Sequence, residues 1–177
     1  MTTDKKNKKI LARFIIIYIV LMFIFFNLAA LDFFEHHLDV NGVYSKSIVV
    51  FLTEVLNIFG INTTYEQLEY GTVINLPTMS LNIKFGCNGL EAVIMYVFAV
   101  VAFPAAWTNK LKAIAAGFIV IQILNIIRLL AIVFVAIHYK DWFDYFHTYF
   151  SQSIMIVVSL AMFIIYVNRY AGEEKSA

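Results

Sequence analysis

Four runs of apolar residues, each long enough to cross a bilayer, constrain this chain more than any other feature. A hydrocarbon core about 30 Å thick needs roughly 17–25 residues of helix. Phe14–Leu31, interrupted only by Asn27, is the first run. Leu90–Trp107, with Glu91 at its start, is the second. Ala113–Ile137 is the third and carries Gln122, Asn125 and Arg128. Residues 150–168 make the fourth. A soluble domain of 177 residues that are 62% hydrophobic and only 14% charged could not hide its apolar surface. A net charge of +1 gives no electrostatic footprint for nucleic acid. The expected fold is an all-α polytopic membrane protein forming one membrane domain.

The first run follows Lys5, Lys6, Lys8, Lys9 and Arg13. That is the charge pattern of a signal peptide, but 18 apolar residues exceed the usual apolar region and no small-x-small cleavage site follows. An uncleaved anchor with residues 1–13 as a basic cytoplasmic tail is the expectation. Alternation then puts the loop near Lys110 and the tail 169–177 inside. The inner segments carry nine Lys and Arg, and the outer ones carry three, Lys46, Lys84 and Lys140. This asymmetry obeys the positive-inside rule.

Residues 32–86 then lie outside. Ser47–Gly60 is apolar with a polar stripe at Thr53, Glu54 and Asn57, which is helical spacing in a segment too short to span. An amphipathic helix stopped by Gly60 is expected. Ser80–Phe85 alternates apolar and polar residues, a strand signal, and a second strand is expected around Thr72–Leu76 after Gly71. The insert therefore combines a short helix with a small element of two or three strands.

Three polar residues stand out against this background. Arg128 lies inside a span, where a charge costs about 2.5–3.5 kcal/mol on insertion scales. Cys87 is the single cysteine, so no intramolecular disulfide can form. It sits in Gly86-Cys87-Asn88-Gly89, at the entrance to a membrane helix. There the backbone N–H groups and the helix dipole stabilise a thiolate, and could also hold an oxyanion. His147 precedes the last span. A rise of about 1.5 Å per residue takes the chain down about 30 Å from Cys87 to Trp107 and back up about 22 Å from Ala113 to Arg128. Cys87, Arg128 and His147 are thus expected in one layer at the outer membrane face.

These residues resemble a known family. Cys87-Asn88-Gly89 is similar to the Cys-Ser-Gly motif of the exosortase/archaeosortase family, with Asn88 in place of Ser. Asn125-Ile126-Ile127-Arg128 matches its Asn-x-x-Arg, and His147 follows before the last span. The approach through Leu56-x-x-x-Gly60, residues 71–77 and a strand also fits. The resemblance covers about residues 48–168, and one span precedes the cysteine where many members carry more. It implies a membrane-embedded cysteine peptidase or transpeptidase of the prokaryotic plasma (inner) membrane, working without cofactor or metal. Its partners would be secreted proteins with C-terminal signals made of a motif, a membrane helix and a basic tail. The product would go to water or to a lipid or polysaccharide acceptor.

On that reading Cys87 is the nucleophile and His147 the acid and base. Arg128 stabilises the oxyanion or fixes the substrate backbone. Asn125, at i−3 from Arg128, orients the guanidinium or a substrate amide, and Asn88 belongs to the cysteine motif. Glu91 either pairs with Arg128 or repels the thiolate, and Asp144 either orients His147, if its segment is helical, or is a solvated loop acid. His138 competes with His147 as the base. Two other readings stand beside this one. In a structural subunit, Arg128 packs against Glu91 and Cys87 is inert. In a haem-binding anchor, His138 and His147 are axial ligands. The adjacent His36 and His37 cannot both face one site on a helix.

Overall fold

The computed structural model describes residues 2–29, 40–68, 71–77, 79–83 and 87–170. Helices dominate, as the apolar runs require. In chain order they are α1 (Thr2–Ala29), α2 (Val40–Ile58), α3 (Leu90–Ala102), α4 (Trp107–His138) and α5 (Ser151–Tyr170). Three strands, β1 (Thr64–Leu68), β2 (Gly71–Asn75) and β3 (Ser80–Ile83), lie between α2 and α3. Lys8–Leu28, Trp107–His138 and Lys140–Tyr170 are long and apolar enough to cross a bilayer, and Leu90–Ala102 is a shorter apolar helix.

The second apolar run therefore yields less helix than its length suggests. α3 has 13 residues, about 20 Å at the helical rise, short of the hydrocarbon thickness. Pro104 explains the stop: it lacks an N–H and forces its predecessor out of the helical region. α4 gains what α3 loses, starting at Trp107 rather than Ala113. The segment expected as an outer loop, 138–149, is helical over most of its length. A 3₁₀ turn (Lys140–Trp142), one α turn (Phe143–Tyr145) and a π-helical stretch (Phe146–Phe150) lead into α5.

The chain divides into two compact units. One comprises Met1–Leu38, Val93–Ile119 and Ser159–Ala177. Aromatic rings hold its helices together. Phe14 stacks on Phe163 at 5.3 Å, and Phe103 meets the edges of Phe163 and Tyr166 at 6.2 and 5.8 Å. Two helix carbonyls are claimed by side chains. Tyr96 donates to Ala113 O at 2.8 Å, and Lys110 Nζ to Val101 O at 2.7 Å.

The other unit comprises Asp39–Ala92 and Val120–Val158. Its core follows from the spacing of α2. Ser45, Ile48, Val49, Leu52, Thr53 and Leu56 are buried at intervals of three and four, one continuous face of a helix. That face packs with Ile74, Leu81 and Ile83 of the sheet and with Leu129, Ile132, Val133 and Ala136 of α4. The expected amphipathic helix is thus present but begins at Val40, and its polar stripe does not face solvent as a whole. Thr53 is buried in the packed face, while Asn57 Oδ1 accepts from Thr63 N–H at 2.9 Å. α2 ends in a Schellman arrangement, Ile61 N–H to Leu56 O and Gly60 N–H to Asn57 O, both at 3.0 Å, with Gly60 at φ +79°.

The sheet is an antiparallel meander in the order β1-β2-β3. β2 pairs with β3 in the register Thr72↔Ile83 to Asn75↔Ser80. The expected strand at Ser80 is seen through Ile83; Lys84, Phe85 and Gly86 lie outside the described residues, as do His36 and His37. β3 alternates exposed Ser80 and Asn82 with buried Leu81 and Ile83, as its sequence pattern demands.

Candidate active site

The residues that stood out in the sequence converge on one turn in the second unit. Cys87, Asn88 and Gly89 connect the sheet to α3, and Asn88 is the linchpin. Its Oδ1 accepts from Leu90 N–H at 3.0 Å, satisfying one of the donors that a helix N-terminus leaves open. Its Nδ2 donates to Ser45 Oγ of α2 at 2.9 Å. Both Asn88 and Ser45 are fully buried.

α4 grips the same turn from its other side. Asn125 Nδ2 donates to the Asn88 carbonyl at 2.7 Å, and Arg128 Nη2 donates to the Cys87 carbonyl. Residues three apart share a helix face, so the Asn-x-x-Arg spacing delivers two donors to two successive carbonyls. Gly89 makes this closeness attainable. It lies at φ +80°, and a Cβ there would come within 2.6 Å of the Asn125 amide carbon.

Across from the turn, His147 Nε2 lies 3.5 Å from Cys87 Sγ. Cys87 is half-buried. The imidazole stacks on Phe143, one helical turn earlier, with ring centres 5.5 Å apart and planes within 8°. It lies in the π-helical stretch, a rare geometry that recurs at functional sites because it re-aims side chains. Its Nδ1 is buried and has no hydrogen-bond partner, so Asp144 does not hold the ring as expected.

The other expected supports also part from the site. Glu91 is half-buried at the start of α3 and forms no ion pair with Arg128, whose donor goes to the Cys87 carbonyl instead. His138 is exposed on α4. Its Nδ1 is 3.1 Å from the Phe134 carbonyl, and its ring stacks on Phe134 at 4.4 Å. The structure thus brings His147, not His138, to Cys87.

Arg128 is 6% exposed, and its Nε has no hydrogen-bond partner. A buried guanidinium with no carboxylate against it is costly unless its charge is used. Here it lies beside a thiol, and a neighbouring positive charge favours the thiolate. The N-terminus of α3 acts in the same sense.

Cys87 and His147 line a cavity of about 180 Å³ together with residues 79–83, Leu52, Leu129, Ile132, Val133 and Phe143. Sequence reasoning did not find this groove, nor Ser45 or Phe143. Ser45 carried a signal, a polar residue in phase with the apolar face of α2. Phe143 carried one too, an aromatic four residues before the histidine.

The arrangement can present a thiolate, exchange a proton with it through an imidazole, and seat an apolar chain segment alongside. A family model described as transmembrane exosortase matches residues 9–165. No curated protein and no solved structure matches the chain at a significant level.

Proposed function

Because the chain belongs to the transmembrane exosortase family, we propose that it is a membrane-embedded cysteine peptidase or transpeptidase. Its substrates would be secreted proteins whose C-terminal sorting signal consists of a short motif, a membrane helix and a basic tail. The observation that carries this reading is the 3.5 Å approach of His147 Nε2 to Cys87 Sγ in a largely apolar cavity.

In the proposed reaction His147 takes the proton of Cys87, and the thiolate adds to the scissile carbonyl of the motif. The tetrahedral intermediate collapses as the C–N bond breaks. The leaving amine receives its proton from the imidazolium, and the N-terminal part of the substrate remains as a thioester on Cys87. Water or an acceptor nucleophile, a lipid or a polysaccharide, then loses its proton to His147 and attacks the thioester, restoring the thiol.

Arg128 and Asn125 act in this scheme as positioning residues. They hold the carbonyls of Cys87 and Asn88, so the sulfur stays fixed relative to the imidazole, and the guanidinium charge favours the thiolate. The basic N-terminal segment supports a topology with the termini in the cytoplasm and the cysteine on the outer side of the plasma membrane, at the level where a substrate's motif would enter its own membrane helix.

The test is co-expression with reporter proteins ending in candidate signals of this three-part kind. The wild-type chain is expected to release the C-terminal helix, and Cys87→Ala and His147→Ala to abolish release while the protein still accumulates in the membrane. Mass spectrometry of the new C-terminus distinguishes a free carboxylate from a transferred acceptor. Undiminished release by Cys87→Ala would refute the nucleophile.

A further inference from the structure

We infer that the free edge of β3 is the docking strand for the substrate: an extended peptide segment immediately upstream of the scissile bond pairs with it, parallel to it, and so delivers its carbonyl to Cys87. The inference rests on the peptidase reading above and specifies how its substrate is held.

Among the described residues β3 pairs with β2 alone, at one end of the sheet order β1-β2-β3. The ladder fixes which backbone groups face outward. Leu76 N–H donates to Met79 O at 2.9 Å, so Leu76 and Met79 form a hydrogen-bonded pair. Pairing alternates along an antiparallel ladder, so Leu81 and Ile83 also turn their backbone groups toward β2. The N–H and C=O groups of Ser80 and Asn82 therefore point away from the sheet, and both residues are exposed.

The cavity follows β3 along its length. Side chains of one strand alternate between its two faces, so a cavity over one face would meet every second residue. This cavity meets all five residues from Met79 to Ile83 in succession, and then Cys87 and His147. An unpaired strand edge with an adjoining apolar wall is the setting for strand addition. Main-chain bonds supply affinity, and pockets sort alternate side chains. Here the wall of Leu129, Ile132 and Val133 selects apolar side chains from the peptide.

Direction follows from connectivity. β3 runs toward Cys87, and beyond it lies an apolar helix. The proposed substrate also passes from an extended motif to an apolar helix. Parallel pairing sets motif against β3 and scissile bond against Cys87. Antiparallel pairing would set the substrate's membrane helix against β3, and a helix cannot complete a ladder.

Proline on an edge strand removes an outward N–H without breaking the ladder behind it. Asn82→Pro in the full-length protein deletes one docking donor, whereas Asn82→Ala keeps it. With the reporter that the wild type processes, Asn82→Pro is expected to fall about three- to tenfold below Asn82→Ala, the loss of about one hydrogen bond. The alkylation rate of Cys87 by iodoacetamide, read on both variants, should stay the same and reports an intact site. A synthetic peptide of the same signal, N-methylated at one amide at a time upstream of the cut, should lose cleavage at every second position. Equal processing by the two Asn82 variants, or a flat N-methyl scan, would overturn strand pairing while leaving the peptidase intact. A lipid tail or a second copy in the groove would give that result. Failure of the wild type to process any reporter would overturn the peptidase reading, and the docking strand with it.

Discussion

Asn88 shows how one side chain can set the geometry of the turn that carries the proposed nucleophile. Its amide caps α3, ties the turn to Ser45 of α2, and leaves its carbonyl for Asn125. A serine at this position keeps a capping oxygen but is too short to span to α2 as well. Asn88→Ser is therefore expected to retain most processing activity. Both variants leave the buried Ser45 hydroxyl without the Asn88 amide, at about 1–3 kcal/mol, and Asn88→Leu loses the cap as well, worth about 1 kcal/mol more. Thermal unfolding in detergent and reporter processing together check this pair: the leucine variant should lose both stability and activity. If Asn88→Leu matched Asn88→Ser in both, the turn would not depend on the amide. At this scale the sequence was informative about identity and silent about partners. Cys87, Arg128 and His147 were visible as polar groups in an apolar setting, and the helical period brought Asn125 onto the face of Arg128. Which acceptor Arg128 would find was not visible, because the choice between Glu91 and a backbone carbonyl depends on helix rotation.

At the scale of elements, the site depends on helix ends and irregular turns more than on regular stretches. The π-helical stretch Phe146–Phe150 presents His147, and Phe143 on the preceding turn holds its ring face. An aromatic pair of this kind is worth about 0.5–1.5 kcal/mol beyond its burial. Phe143→Ala is expected to slow processing about three- to tenfold by releasing the imidazole. In a His147→Ala background the same change should slow alkylation of Cys87 by iodoacetamide no further, and a double-mutant cycle on that rate reads the coupling. Additive losses would mean that Phe143 acts elsewhere. Periodicity made α2 and β3 legible, since burial fixes their faces. It misled over Thr53, a polar residue carried into the core by apolar neighbours on both sides. It also overestimated α3, because the hydrophobic run continues through Pro104 although helical hydrogen bonding cannot. A π-helical stretch carries no hydrophobic period of its own, so the segment before α5 read as a loop.

For the whole molecule, membrane insertion is imposed by the sequence, and the direction of insertion is a proposal from charge. With Cys87→Ala as background, single cysteines at Asn62 and Lys112 test it. Both positions are exposed. A membrane-impermeant maleimide applied to intact cells should label Asn62→Cys and spare Lys112→Cys until the membrane is opened; the reverse pattern would invert the topology. On the proposed topology Cys87 faces the oxidising side, so activity should rise with added reductant. The central claim is that Cys87 carries the substrate as a thioester during turnover. Its most direct test is the intact mass of the full-length protein, acid-quenched while it processes a signal-bearing reporter. The account predicts an adduct equal to the upstream reporter fragment, located on Cys87, released by hydroxylamine and absent from Cys87→Ala. Continued processing with no adduct, or an adduct on another residue, would contradict it.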